Sequence, residues 1–246
     1  MSRLTGWDES TFTSGGTTLP TFRKGIGPGV IVIHEIPAIT PKVQAFAEEV
    51  VDAGFTVVMP SLLGTTPGKG YGVGNMTQSL AKVCVSSEFS SWALNTTSPI
   101  TIWLRALAKD LHEELGGPGV GALGMCFSGG FALAMMVDGH VAAPVLSQPS
   151  MPFARSARHR ADLNLSPADL SAVKQRVAAG CPVLGLRYAG DRMVGTRFDT
   201  LRAELGDGFL AVELPGAKHS VLTEHRDEAS VQRVLAFFRE RLVQVS

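Results

Sequence analysis

Short apolar blocks alternate with amphipathic stretches along most of this chain. Gly29-Val-Ile-Val-Ile-His34 is a β-branched run without polar alternation, the pattern of a strand buried on both faces. Pro41 then opens a helix to Ala53, with Val43, Phe46, Ala47 and Val50 on one face and Gly54 as its stop. Phe55–Met59 reads as the next strand, closed by Pro60. The same rhythm predicts helix Pro99–Leu115, strand Val120–Gly124, helix Phe127–Val137, strand Val141–Ser147, helix Pro167–Ala179 and strand Val183–Tyr188. Helix Val194–Leu205, strand Phe209–Leu214 and helix Arg226–Val243 complete it. Ahead of this series, Ser10–Arg23 predicts an antiparallel hairpin turned by Gly15-Gly16.

Strands alternating with helices predict an α/β fold: a doubly wound, mostly parallel sheet with helices on both faces, in one domain over residues 1–246. Between Ser61 and Ser98 the rhythm fails. Gly64, Gly68, Gly70, Gly72 and Gly74 punctuate a polar stretch there, which reads as a lid-like insertion at about 61–98.

Composition narrows the function classes. The 22 basic and 22 acidic residues balance, so no global field favours nucleic acid or an anionic membrane, and a small molecule is the expected partner. Apolar runs stay far short of the ~20 residues that cross a bilayer, and Met1–Thr21 lacks the charged and apolar regions of a signal peptide. Three cysteines (Cys84, Cys126 and Cys181) form no CxxC pair, which suits a reducing compartment. The expectation is a cytoplasmic protein, a monomer or small homo-oligomer, whose sequons at Asn75 and Asn95 carry no glycan.

The candidate chemistry centres on Gly121-Ala-Leu-Gly-Met-Cys-Phe-Ser-Gly-Gly130, an apolar strand running through a small-residue turn into a helix. A cysteine at such a turn is lifted above the sheet, where the following helix favours its thiolate. Most free cysteines are small core residues, but this context points to Cys126 as a nucleophile. Asp191 ends a strand in a Gly-Asp turn, and His219 follows a strand and a small-residue loop. All three project from the carboxyl edge, where open α/β sheets place their sites. The chain order nucleophile, acid, histidine is that of the α/β-hydrolase triad.

Val30-Ile-Val-Ile-His-Glu-Ile36, Gly124-Met-Cys-Phe-Ser-Gly-Gly130, Gly190-Asp191 and Gly216-Ala-Lys-His219 together resemble the dienelactone hydrolase family, from about Gly29 to the C-terminus apart from the insertion. The resemblance implies an α/β-hydrolase fold, a Cys126-His219-Asp191 triad, an oxyanion hole from the backbone amides of Ile36 and Phe127, and a glutamate, Glu35, that pairs with the resting thiol. It implies hydrolysis of an ester, lactone or related activated acyl bond, of the carboxymethylenebutenolidase or general esterase type, without a cofactor. An acyl thioesterase of another pathway and a non-catalytic binding protein on the same fold remain the alternatives. Three positions depart from the family pattern. Ser61 stands in Pro60-Ser61-Leu62 where the family commonly has Pro-Asp-Leu. Ser128 replaces the usual glycine two residues after the nucleophile, and Thr223 stands where the founding enzymes carry a carboxylate-binding arginine.

Other motifs carry less. Gly119-Val-Gly-Ala-Leu-Gly124 spells a dinucleotide fingerprint, but its glycines precede and fill a strand instead of following one. A redox protein would need a resolving cysteine, and none lies within forty residues of Cys126. No His, Cys and carboxylate spacing suggests zinc, so no metal is expected. Arg155, Arg158, His159 and Arg160 form a basic loop on the candidate-site edge. Arg155 and Arg158 could hold an anionic substrate there, although a solvated loop is the plainer reading.

Overall fold

Among the residues that the computed structural model describes (4–64, 67–68 and 72–243), eight strands form. They are β1 (Asp8–Ser14), β2 (Thr17–Lys24), β3 (Gly29–Ile33), β4 (Thr56–Pro60), β5 (Val120–Met125), β6 (Val141–Ser147), β7 (Val183–Tyr188) and β8 (Phe209–Leu214). They make one sheet in the order β1-β2-β4-β3-β5-β6-β7-β8. β1 pairs antiparallel with β2, and β2 antiparallel with β4, while the remaining strands run parallel. Gly15 and Gly16 turn the hairpin at φ +57° and +79°, values that cost glycine nothing.

The helices are α1 (Pro41–Asp52), α2 (Val73–Val85), α3 (Ile100–Leu115), α4 (Gly129–Met135), α5 (Ala157–Ala161), α6 (Pro167–Ala178), α7 (Arg197–Leu205) and α8 (Glu228–Leu242). Successive residues of the central strands feed two separate apolar layers. Val30, Val32, Val57 and Met59 join Val43, Phe46 and Val50 of α1 and Val231, Val234 and Phe238 of α8. Ile31, Ile33 and Val58 point the other way, into Trp103, Leu104 and Leu107 of α3, Phe131 of α4 and Phe198 and Leu201 of α7. Burial on both faces explains why these strands show no polar alternation. The predicted stripe on α1 is the buried one, and Thr40 caps that helix by accepting from the Val43 amide.

Two regions differ from the sequence-based expectation. The segment after β4 contains α2, where periodicity named no helix. Its inward positions include Ser79, bonded to the Pro37 carbonyl at 2.6 Å, beside Val83, whereas Leu80 and Val85 face outward. A helix that buries a serine and exposes a leucine shows no apolar stripe to count. Helix α7 begins at Arg197, not Val194, because Asp191 holds the preceding residues in a turn through Met193 N–H (2.9 Å) and Gly195 N–H (3.3 Å).

The two strands that diverge from the middle of the sheet, β3 and β5, are neighbours, with Ile33 opposite Gly124. From β3 the chain crosses one way to β4 and the other way to β5, which makes this the point where ligands bind in doubly wound sheets.

Candidate active site

Cys126 stands immediately beyond β5, at φ +56°, on a backbone conformation that non-glycine residues seldom adopt. A tight turn, Cys126–Ser128, leads from it into α4. The turn closes so sharply that a Cβ on Gly124 would come within 2.1 Å of the Ser128 carbonyl oxygen. Ser128, the departure from the family's glycine, contributes a buried strut. Its Oγ accepts from the Met125 amide at 2.9 Å and faces the carbonyls of His34 and Met125, each at 3.0 Å. The hydroxyl therefore pins the turn to the end of β3, and the extra atoms are accommodated without opening the elbow.

Asp191 and His219 meet across the ends of β7 and β8. His219 Nδ1 lies 2.6 Å from Asp191 Oδ2, and Asp191 is 6% exposed. The contact fixes the proton on Nδ1 and leaves Nε2 for other work. Nε2 is buried with no partner in hydrogen-bonding geometry, and Cys126 is near enough to act on the ring. Burial disfavours the charged ring, but the bond to Asp191 and then the bonding and charge of Cys126 outweigh that and raise its pKa from 6.5 to about 10. The arrangement favours the charged imidazolium form of His219. Stability drawn from it is present below pH 6.5 and lost as pH rises through about 10.

Glu35 lies just beyond β3 and is 1% exposed. Ser220 Oγ donates to its Oε2 at 2.8 Å, Thr223 Oγ1 donates to Oε1, and Gln148 Nε2 approaches Oε2 at 3.4 Å. Thr223 is thus turned inward onto a carboxylate. Ile36 and Phe127, the residues after Glu35 and Cys126, sit at the ends of the adjacent strands β3 and β5.

The basic segment, whose Arg158, His159 and Arg160 lie in helix α5 and not in the expected loop, does not join this cluster. Arg155, Arg158 and Arg160 are exposed. The Arg155 guanidinium lies 5.3 Å from the centre of the Trp92 ring, and Arg158 lines a shallow cleft with Leu94, Asn95, Ala161 and Asp162. Among the described residues, neither arginine bonds to Cys126, Asp191 or His219. Nor does any group of three or more His, Cys, Asp or Glu there have the placement to hold a metal ion. Among the described residues, no helix is long and apolar enough to cross a membrane.

Two residues of the site were not singled out by sequence. One is Gln148, directly after β6, whose only sequence signal is its place at a strand end. The other is His34, fully buried between β3 and the segment after β4. Its Nδ1 lies 2.8 Å from the Glu35 carbonyl and its Nε2 accepts from the Leu62 amide at 3.1 Å. A carbonyl cannot donate and an amide N–H cannot accept, so the ring is neutral with its proton on Nδ1. Burial lowers its pKa from 6.5 to about 4, against the smaller effect of the Glu35 carbonyl. The folded state then binds fewer protons than the unfolded one between those values, so this contribution is present above pH 6.5 and lost as pH falls through about 4. His34→Gln keeps a donor and an acceptor but does not titrate. Denaturant unfolding at pH 7 and pH 4.5 should show the parent losing a few kcal/mol more than this variant. Parallel losses would remove His34 as the cause.

Residues 18–242 match the model of the dienelactone hydrolase family. Comparison with curated proteins found no match. Solved structures resemble the chain along nearly its whole length. A dienelactone hydrolase from Anabaena variabilis is 19% identical with a TM-score of 0.67, covering 96% of this chain and 99% of its own. A cold-adapted esterase from an Arctic intertidal metagenomic library is 16% identical with a TM-score of 0.64, covering 98% and 97%. The thioesterase domain from the curacin biosynthetic pathway is 13% identical with a TM-score of 0.58, covering 94% and 99%. At these identities the likeness is one of fold, and the fold is that of the α/β-hydrolases.

Proposed function

Because this chain belongs to the dienelactone hydrolase family, we propose that it is a cysteine hydrolase of esters, lactones or related activated acyl bonds, with Cys126 as nucleophile, His219 as base and Asp191 orienting the ring. The observation that carries the reading is the 2.6 Å contact of His219 Nδ1 with Asp191 Oδ2, which leaves Nε2 for Cys126. The Cys126 proton passes to His219 Nε2, leaving a thiolate beside an imidazolium. The thiolate attacks the acyl carbonyl, and the amides of Ile36 and Phe127 receive the developing oxyanion. Collapse forms the acyl thioester as His219 returns the proton to the leaving alkoxide. Water then attacks, giving its proton to His219, and the thiol is released with the acid.

Glu35 in this reading modulates the thiol. Its carboxylate is tied to Ser220 and Thr223, so pairing with Cys126 requires those bonds to yield. The lid-like insertion and the basic loop are proposed to border the substrate, with Arg155 and Arg158 as the cations within the loop's reach.

Substrate charge provides the test. The Thr223 hydroxyl is engaged by Glu35 and carries no charge, so it offers a substrate carboxylate no cation of its own. Leaving a charge so poorly matched costs several kcal/mol. A screen of p-nitrophenyl esters, acyl thioesters and lactones, with dienelactone included, should give turnover that depends on Cys126. Dienelactone should be at least about tenfold poorer in kcat/KM than a neutral lactone of its size. Turnover unaffected by Cys126→Ala would sink the mechanism. Efficient dienelactone cleavage that disappears with Arg155→Ala or Arg158→Ala would reassign the carboxylate to the basic loop.

A further inference from the structure

Gln148 is one of five non-glycine residues with positive φ among the described residues, at +36°, and it is fully buried. Cys126 is another, and the two belong to neighbouring strand ends, β6 and β5. A strained backbone at a buried position persists only where its surroundings over-determine it, and such positions gather at functional sites. Here the surroundings are visible. The Gln148 amide N–H donates to the Leu186 carbonyl of β7 at 2.7 Å, and its carbonyl accepts from Ser150 Oγ at 2.9 Å. Ser150 in turn donates its N–H to the Cys126 carbonyl at 3.0 Å.

The side chain that this backbone presents has three partners. Its Oε1 accepts from Ser147 Oγ and from the Val221 amide at 3.3 Å, and its Nε2 faces Glu35 Oε2 at 3.4 Å. A backbone amide can only donate, so the Gln148 oxygen must face Val221 and its Nε2 must face Glu35. Val221 lies two residues after His219, and Ser220 between them donates to the same Glu35 oxygen that Nε2 faces. The Gln148 side-chain amide thus ties the loop bearing His219 to the buried Glu35, while its backbone carbonyl reaches the turn bearing Cys126 through Ser150. Neither a hydrocarbon nor a charged group does this. A hydrocarbon leaves the Val221 amide without its acceptor, and a second carboxylate repels Glu35.

We propose that Gln148 is a positioning residue for the reaction: it holds the histidine loop in register with the thiol and fixes Glu35 at its side. The inference rests on the hydrolase reading above. It adds a residue that acts through Glu35, His219 and Cys126 without touching the reacting atoms. The titratable groups gathered around it at this sheet edge are Glu35 after β3, Cys126 after β5, Asp191 after β7 and His219 after β8.

Two variants test it. Gln148→Leu keeps the bulk and removes both bonding functions. It should fold, and lose about 100-fold in kcat on a p-nitrophenyl ester with KM changed by less than about threefold, as expected of a misplaced catalytic group. Gln148→Glu restores the missing contacts only while the two neighbouring carboxyls share a proton, because a protonated carboxyl offers the amide's donor and acceptor. Like charges raise the upper ionisation of such a pair. The ratio of variant to parent kcat/KM should therefore rise about tenfold as pH falls from about 8 to about 5. A purely structural role would leave that ratio flat, and a flat ratio overturns the proposal, as does a folded Gln148→Leu with parental kcat. Iodoacetamide labelling of Cys126, located by peptide mapping, separates the two levels of inference. If the parent turns over no acyl substrate, the hydrolase reading fails. An alkylation pH profile displaced in Gln148→Glu then still upholds the positioning role, and one identical to the parent's removes it.

Discussion

Cys126→Ala and His219→Ala should each lower kcat on an activated ester by about 10⁴- to 10⁶-fold, and the double variant should be scarcely worse than either alone. Non-additivity follows from the charge arrangement. A thiol stripped of His219 has no imidazolium to stabilise its thiolate, and an imidazolium stripped of Cys126 has nothing to activate. Asp191→Asn should be nearly as damaging, about 10⁴-fold, because an amide can present its N–H to Nδ1 and thereby place the ring proton on the wrong nitrogen. Since His219 is raised to about 10, the parent should hold its activity well into alkaline pH and lose it as pH rises through that value. Steady-state kinetics between pH 6 and about pH 11 reads this directly, and an alkaline limb near the ordinary histidine range would mean that the charged pair does not form. Near-normal turnover in folded His219→Ala would overturn the assignment altogether.

Much of this architecture is legible in the chain because the strands are buried on both faces. Val30–Ile33, Thr56–Met59 and Val183–Leu186 have no solvent side to confuse the pattern, and α1 presents its predicted face. The elbow is equally readable, since a turn that brings Gly124 against the Ser128 carbonyl demands a small residue where the sequence has one. Asp191 is marked by its Gly-Asp turn after β7, and His219 by the small-residue loop after β8. What stayed hidden depends on contacts between distant segments. Nothing local in Gln148 foretells a bond to Val221, 73 residues away, or to Glu35, 113 residues away. His34 looked like the end of an apolar strand, and only the approach of Leu62 to its ring makes it a neutral link between two loops. Helix α2 escaped because its buried face includes a serine that bonds to the chain near Glu35 instead of packing as an apolar stripe.

A second large effect is expected far from the reacting atoms, at Arg197. This residue opens α7 and is 1% exposed. A guanidinium has five N–H donors, and here they meet five backbone carbonyls. Nε donates to Met151, Nη1 to Met193 and Val194, and Nη2 to Pro152 and His159. Burial lowers its pKa from 12.5 to about 10, while the charges of Asp162 and Asp191 act to hold the proton on. It therefore remains a cation at neutral pH. Its acceptors lie in two loops, 151–159 beyond β6 and 193–194 beyond Asp191, so one side chain fastens the floor of the basic loop to the turn that presents Asp191. Arg197→Met fills the space but strips five backbone carbonyls of their donor, three of the bonds being buried, and should cost about 3–5 kcal/mol. For a chain of this size that corresponds to a fall in Tm of about 10 °C. Arg197→Lys should rescue little, because an ammonium has three donors and no planar fork. Thermal unfolding of both variants decides the matter. Arg197→Lys within about 1 kcal/mol of the parent would show that charge alone suffices and that the fork geometry is incidental. If the fork matters, the loss should also appear in kcat, because loosening the 193–194 turn loosens Asp191 and with it the 2.6 Å contact that sets the proton on His219.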